Sequence, residues 1–112
     1  MQGFKIPKDD RNYRWTHHVV RKLQHYGLTP ARILRVIRAP ERVEKGIADN
    51  TLAAMTTAGT KKRPWEVWTM WKTEGKRKVI ITAWRYPGVS PIREQIPIPT
   101  DILAELEQEG IY

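Results

Sequence analysis

The chain has 112 residues, no cysteine, and 20 Lys/Arg against 12 Asp/Glu, for a formal net charge of +8 and a pI of about 10.1. That length makes one domain the expectation, and a hydrophobic content of 40% with five Trp excludes disorder by composition. Without cysteine there is no disulfide framework and no thiolate zinc site. No apolar run approaches the roughly 18 residues of a membrane span, and Met1-Gln2-Gly3-Phe4-Lys5 lacks a signal-peptide core, so the expected location is the cytoplasm with no membrane contact.

The charge is unevenly placed. Residues 1–63 carry 14 Lys/Arg and 5 Asp/Glu, a balance of +9, while residues 64–112 carry 6 and 7, a balance of −1. A polyanion-binding face produces such an asymmetry, which favours a nucleic acid over an unspecific solvated surface.

Residues 1–14 are polar and read as an arm, or at Phe4-Lys5-Ile6 as a short strand. Thr16 predicts an N-cap, residues 17–26 a helix, and Gly27 its C′ position. Val19, Val20, Leu23 and Tyr26 share the apolar side of that helix. His18, Arg21, Lys22 and His25 stand at i, i+3, i+4 and i+7, a basic stripe expected on the opposite side. Thr29-Pro30 predicts the N-cap and first residue of a second helix running to about Arg38. Ile33, Leu34 and Ile37 form its buried face, Arg32, Arg35 and Arg38 step by three along another, and Pro40 stops it. The short link implies an antiparallel helix pair.

From Arg42 the pattern turns to strands. Val43–Lys45 and Thr51–Thr57 predict two, Gly59–Pro64 a turn, and Trp65–Lys72 and Lys78–Tyr86 a hairpin around Glu74-Gly75. Val79-Ile80-Ile81-Thr82-Ala83-Trp84 does not alternate cleanly, which predicts a central strand covered on both faces. Pro87, Pro91, Pro97 and Pro99 mark an extended segment. Thr100 then reads as the cap of an acidic helix over 101–109, ending at Gly110. The order predicts α+β, with two N-terminal helices packed on a twisted antiparallel sheet and a short C-terminal helix. The divisions are an arm at 1–14, the α+β domain at 15–88, and a Pro-rich segment with an acidic helix at 89–112.

Thr16-His17-His18, Lys22, Tyr26-Gly27-Leu28-Thr29, Ile37, Pro40, Val43 and the strand Ile81-Thr82-Ala83-Trp84-Arg85 together resemble a domain family of unknown function related to BrnT-type toxins, in the RelE/ParE superfamily. The resemblance covers residues 15–88. It implies two helices against an antiparallel sheet, ribosome-linked or direct RNA cleavage without a metal, and neutralisation by an acidic antitoxin-like protein. The chain departs from the pattern at Lys22 and Tyr26, where relatives often have Arg. It departs again at Trp84, which displaces the following basic residue by one place and so, in a strand, to the other face.

Metal-free RNA cleavage needs a 2′-hydroxyl deprotonated, a phosphorane charge stabilised and a leaving oxygen protonated. His18 is the candidate for proton transfer, with Lys22 and Arg85 for the phosphate; the competing reading makes His18 a hydrogen-bonded fold residue. Arg21, His25, Arg32, Arg35, Arg38, Lys61, Lys62, Arg63 and Trp65 are the candidate nucleic-acid contacts, Trp65 as an exposed stacking residue and Trp71 and Trp84 as core. His18 and His25 lie roughly 10 Å apart along a helix, too far to share a zinc ion, and no cofactor is expected. Three functions remain open: a ribonuclease-type toxin relative, a non-catalytic RNA- or ribosome-binding module, and an interaction domain whose basic face meets an acidic protein.

Overall fold

The local signals around the first helix are strong enough to fix its ends. In the computed structural model, which describes residues 4–92 and 94–111, α1 spans His17–Tyr26 and α2 spans Pro30–Arg38. Thr16 caps α1 by accepting from the Val19 N–H at 3.1 Å, and Gly27 ends it in the left-handed region at φ 65°. Thr29 caps α2 through the Arg32 N–H, with Pro30 at its first residue. The Met1-Gln2-Gly3 part of the expected arm lies outside the described residues.

The strands are β1 (Tyr13–Trp15), β2 (Arg42–Lys45), β3 (Thr51–Gly59), β4 (Pro64–Glu74) and β5 (Arg77–Pro87), and α3 (Thr100–Gln108) closes the order. The fold is α+β, with three helices among the described residues and a five-stranded sheet ordered β1-β5-β4-β3-β2. β2 to β5 form the expected antiparallel meander. The sheet as a whole is mixed, which corrects the expectation of an antiparallel one: β1 runs parallel to β5, Tyr13 opposite Lys78 and Trp15 opposite Ile80.

β1 begins inside the stretch read as an arm and ends one residue beyond it, while Phe4-Lys5-Ile6 forms no strand. Two aspartates hold this region. Asp10 Oδ1 accepts the Asn12 and Tyr13 N–H groups at 2.7 and 2.8 Å, and Asp9 Oδ1 accepts that of Trp15 at 2.8 Å. Tyr13 and Trp15 are thereby aimed into the core.

β5 is central, and both of its faces are buried. Trp71 pairs with Ile80 and Met70 with Thr82, so Ile81 is an extra residue, a β-bulge. This is why the apolar residues of β5 do not alternate. Ile80 and Ala83 enter the core under α1 and α2, with Val19, Leu23, Ile33, Val36, Val67 and Trp71. Ile81 and Trp84 enter a second core on the other face, with Trp68, Met70, Ile96, Ile102 and Leu106. Trp68 and Trp84 stack there with ring centres 5.8 Å apart. On α2 the fully buried residues are Ile33 and Val36; Leu34 and Ile37 are only partly covered.

Residues 88–99 contain no helix or strand among those described, but they are tied down. Glu66, 1% exposed, accepts the Trp68 indole N–H at 2.8 Å, the Ser90 hydroxyl at 2.6 Å and the Ser90 N–H at 3.0 Å. Arg42 donates to the Ser90 hydroxyl at 2.8 Å and lies 5.0 Å from the Trp68 ring centre. A buried carboxylate with this many donors is a satisfied one. α3 then covers the second core with Ile102 and Leu106. Its first helical residue is Thr100, with Pro99 at the N-cap position, so Thr100 is not the cap that its residue type suggested.

Thr16 joins the two halves of this arrangement. Its hydroxyl accepts from Val19 and donates to the Ile81 carbonyl at 2.9 Å, at the bulge where β1 pairing ends. Thr16→Ala is expected to lower unfolding stability by roughly 1–3 kcal/mol, a cap plus a part-buried hydrogen bond, while Thr16→Ser retains most of it. Urea unfolding of the three proteins measures this; equal midpoints would remove the junction from the account.

Candidate nucleic-acid interface

Only half of the basic stripe on α1 faces solvent: Arg21 and His25 are exposed, while His18 and Lys22 are buried. Carboxylates of α3 lie against His18, Arg21 and Lys22, and none lies against His25 among the described residues. Lys22, 7% exposed, donates to Glu105 at 2.8 Å and stands 3.9 Å from Asp101; Arg21 reaches Glu109 at 3.3 Å. His18 is 1% exposed and shares a 2.9 Å hydrogen bond between Nε2 and the Thr82 hydroxyl. Its Nδ1 lies 3.1 Å from Glu109 and 3.3 Å from Glu105. Nδ1 makes no aligned hydrogen bond to either oxygen, so these are close approaches of two carboxylates to the ring and not hydrogen bonds.

The expectation of a stripe opposite the apolar side of α1 is therefore corrected. α1 packs along β5, where β1 pairs only as far as Ile80. A helix in that position turns Val19 and Leu23 toward one core and His18 and Lys22 toward the rim of the other. The apolar side read from the sequence is only half of what is covered.

Burial holds the His18 imidazole below its ordinary value of 6.5, against the upward pull of Glu109 and Glu105 and with the help of Lys22 and Arg21. The Tyr26 hydroxyl is pushed up, first by burial and then by Asp101 and Glu105.

Arg85 is exposed and stands at the other end of α1. It donates to the Gly27 carbonyl at 3.4 Å, and its guanidinium lies 4.2 Å from the Trp65 ring centre. Gly27 is nine residues beyond His18, about 13 Å along a helix. The structure thus brings His18 and Lys22 together under α3 and does not bring Arg85 to them.

A different group does assemble. Arg32 from α2 stands 5.8 Å from the same Trp65 ring, so one indole carries two guanidiniums. Trp65 is half-buried and packed against the first core, less open than a free stacking residue. Trp71 and Trp84 are core residues, 5% and 0% exposed. Gly59 is required beside Trp65: its φ is 78°, and a Cβ there would strike the Arg63 carbonyl and the indole. The turn it begins carries Lys61, Lys62 and Arg63, all exposed. Arg32, Arg35 and Arg38 line a groove of about 370 Å³ with Ala39, Thr56 and Thr57. Arg38 also lies 5.7 Å from the Tyr13 ring centre. None of these cations has a carboxylate partner among the described residues. His25 is exposed with its ring edge-on to Tyr26.

Among the described residues no cluster of His, Asp and Glu has the geometry to hold a metal ion, and no helix is long and apolar enough to cross a membrane. Comparison with protein-family models, with curated proteins and with solved structures finds no match to this chain.

The His18 environment predicts a pH dependence. An unfolded chain takes up a proton near the ordinary value of 6.5, whereas folded His18 resists it to lower pH. Between those values the unfolded state binds more protons, so stability falls as pH falls. The thermal midpoint should drop from pH 7 to pH 5, and His18→Gln should flatten the drop. A wild-type midpoint constant over that range would contradict the assigned burial.

Proposed function

We propose that this chain is a non-catalytic RNA-binding module whose contact surface is the α2 face together with the Lys61–Arg63 turn and the Trp65–Arg85 end of the sheet. One observation carries the reading. The cations of α1 are matched by α3 carboxylates, while Arg32, Arg35, Arg38, Lys61, Lys62, Arg63 and Arg85 have no such match among the described residues.

A concave row of arginines beside an aromatic ring suits a single strand. The groove follows the backbone, and the ring with its guanidiniums offers a stacking platform. RNA in preference to DNA follows the resemblance to BrnT- and RelE-type toxins read from the residues. A ribonuclease acting through His18, Lys22 and Arg85 has less support, because the first two are covered and the third stands apart.

Labelled single-stranded RNA, titrated by fluorescence anisotropy at several salt concentrations and then run on a denaturing gel, tests the proposal. Binding without cleavage is expected. Replacing Arg32, Arg35 and Arg38 with Gln should weaken binding and reduce the salt slope by up to roughly 2–3 units, at about 0.7–0.9 per phosphate contact. Arg21→Gln should change neither by much, since Arg21 is paired with Glu109. An unchanged triple variant would place RNA elsewhere. Chelator-resistant cleavage that His18→Gln abolishes would restore the nuclease reading.

A further inference from the structure

We propose that β2 docks a second copy of this chain, the two β2 strands pairing antiparallel about Val43 to continue the sheet across a two-fold axis.

β2 is the outer strand, bonded only to β3. Gly46 N–H donates to the Thr51 carbonyl at 3.0 Å. Antiparallel ladders alternate, so Gly46, Glu44 and Arg42 bond inward, and Val43 and Lys45 turn their main-chain groups out. No hydrogen bond among the described residues engages those outward groups. A strand added here would find an open ladder.

The side chains select which strand. Glu41-Arg42-Val43-Glu44-Lys45, laid antiparallel on itself about Val43, sets Glu41 against Lys45, Arg42 against Glu44 and Val43 against its own copy. Every charge then meets its opposite. The outward residues also fix the possible registers. Shifting the axis to residue 44 sets Glu44 against Glu44, and shifting it to residue 45 sets Lys45 against Lys45; both juxtapositions are unfavourable.

The groups are available for this pairing. Val43 is 47% exposed, and Leu52, opposite Lys45 on β3, is 43% exposed on the same face. Lys45 has no carboxylate partner among the described residues. Glu41 is exposed; its carboxylate accepts from Thr57 and keeps further acceptor capacity. Arg42 is turned inward, held by Ser90 and the Trp68 ring and 3.5 Å from Glu44 through Nε, so its charge is satisfied within the chain and the pairs that select the register are Glu41 with Lys45.

Short charged edge strands are also a common protection against pairing. Protection of that kind works by bringing like charges together, whereas this segment is self-complementary. A strand pair of this size belongs with weak interfaces, with a dissociation constant between roughly 1 µM and 1 mM. Side chains of opposed residues share a face, so the axis is perpendicular to the sheet and both α2 helices come to the same side.

Sedimentation velocity at increasing concentration, at low salt, tests this with Lys45→Glu and Glu41→Lys, each checked for folding by circular dichroism. Wild type should pass from monomer to dimer, and each variant alone should remain monomeric over the same range. An equimolar mixture of the two variants should dimerise again, because each Glu then faces a Lys. A wild type monomeric up to about 1 mM, variants that dimerise like wild type, or a mixture that stays monomeric would each overturn the proposal.

Discussion

The structure depends on the closing of the second face of the sheet by α3. β5 is buried on both sides, and Ile81, Trp84, Trp68 and Met70 would lie open without Ile102 and Leu106 over them. Two fully buried side chains of this kind contribute roughly 3–6 kcal/mol, whereas a half-exposed ion pair contributes at most about 1 kcal/mol. Apolar contact therefore holds α3 in place, and the carboxylates of Asp101, Glu105 and Glu109 set how it lies against Arg21, Lys22 and His18.

That docking separates two groups among the chain's cations. Arg21 and Lys22 of α1 are paired with α3 carboxylates. The cations of α2, the 61–63 turn and Arg85 have no carboxylate partner among the described residues, and two of them, Arg32 and Arg85, flank one half-buried indole. An overall charge of +8 conceals this division, since the charges of α3 and α1 are more than 70 residues apart in the chain and meet only in the fold.

Much of the fold was legible in the residues. Thr16, Gly27, Thr29 and Pro30 mark helix ends by chemistry that acts within a few residues, and Trp65–Lys72 and Lys78–Tyr86 carry strand composition around a turn glycine. β1 was not legible, because three residues are too few for a period and its partner lies more than 60 residues away. The bulge left a trace as the broken alternation of β5, without saying which residue was extra. Of the candidate site, the α2 arginines, the Lys61–Arg63 turn and Trp65 were legible in the residues, whereas the place of Arg85 beside Trp65 and the covering of His18 and Lys22 were not. A helix wheel separates apolar from polar positions, but it cannot report that a distant acidic helix will cover part of the polar side. Glu66 carried no signal at all: a lone glutamate in a Trp-rich strand looks exposed until Ser90 and Trp68 supply its donors.

The division of charge between α1 and α2 is most directly tested by following the amide and indole N–H signals of the ¹⁵N-labelled protein while a short single-stranded RNA is added. Shifts are expected at Arg32, Arg35, Arg38, Lys61–Arg63, Arg85 and the Trp65 indole, with the Trp68 and Trp84 indoles, His18, Lys22 and all of α3 unmoved. Shifts concentrated on α1 and α3, with the α2 signals unchanged, would contradict that division.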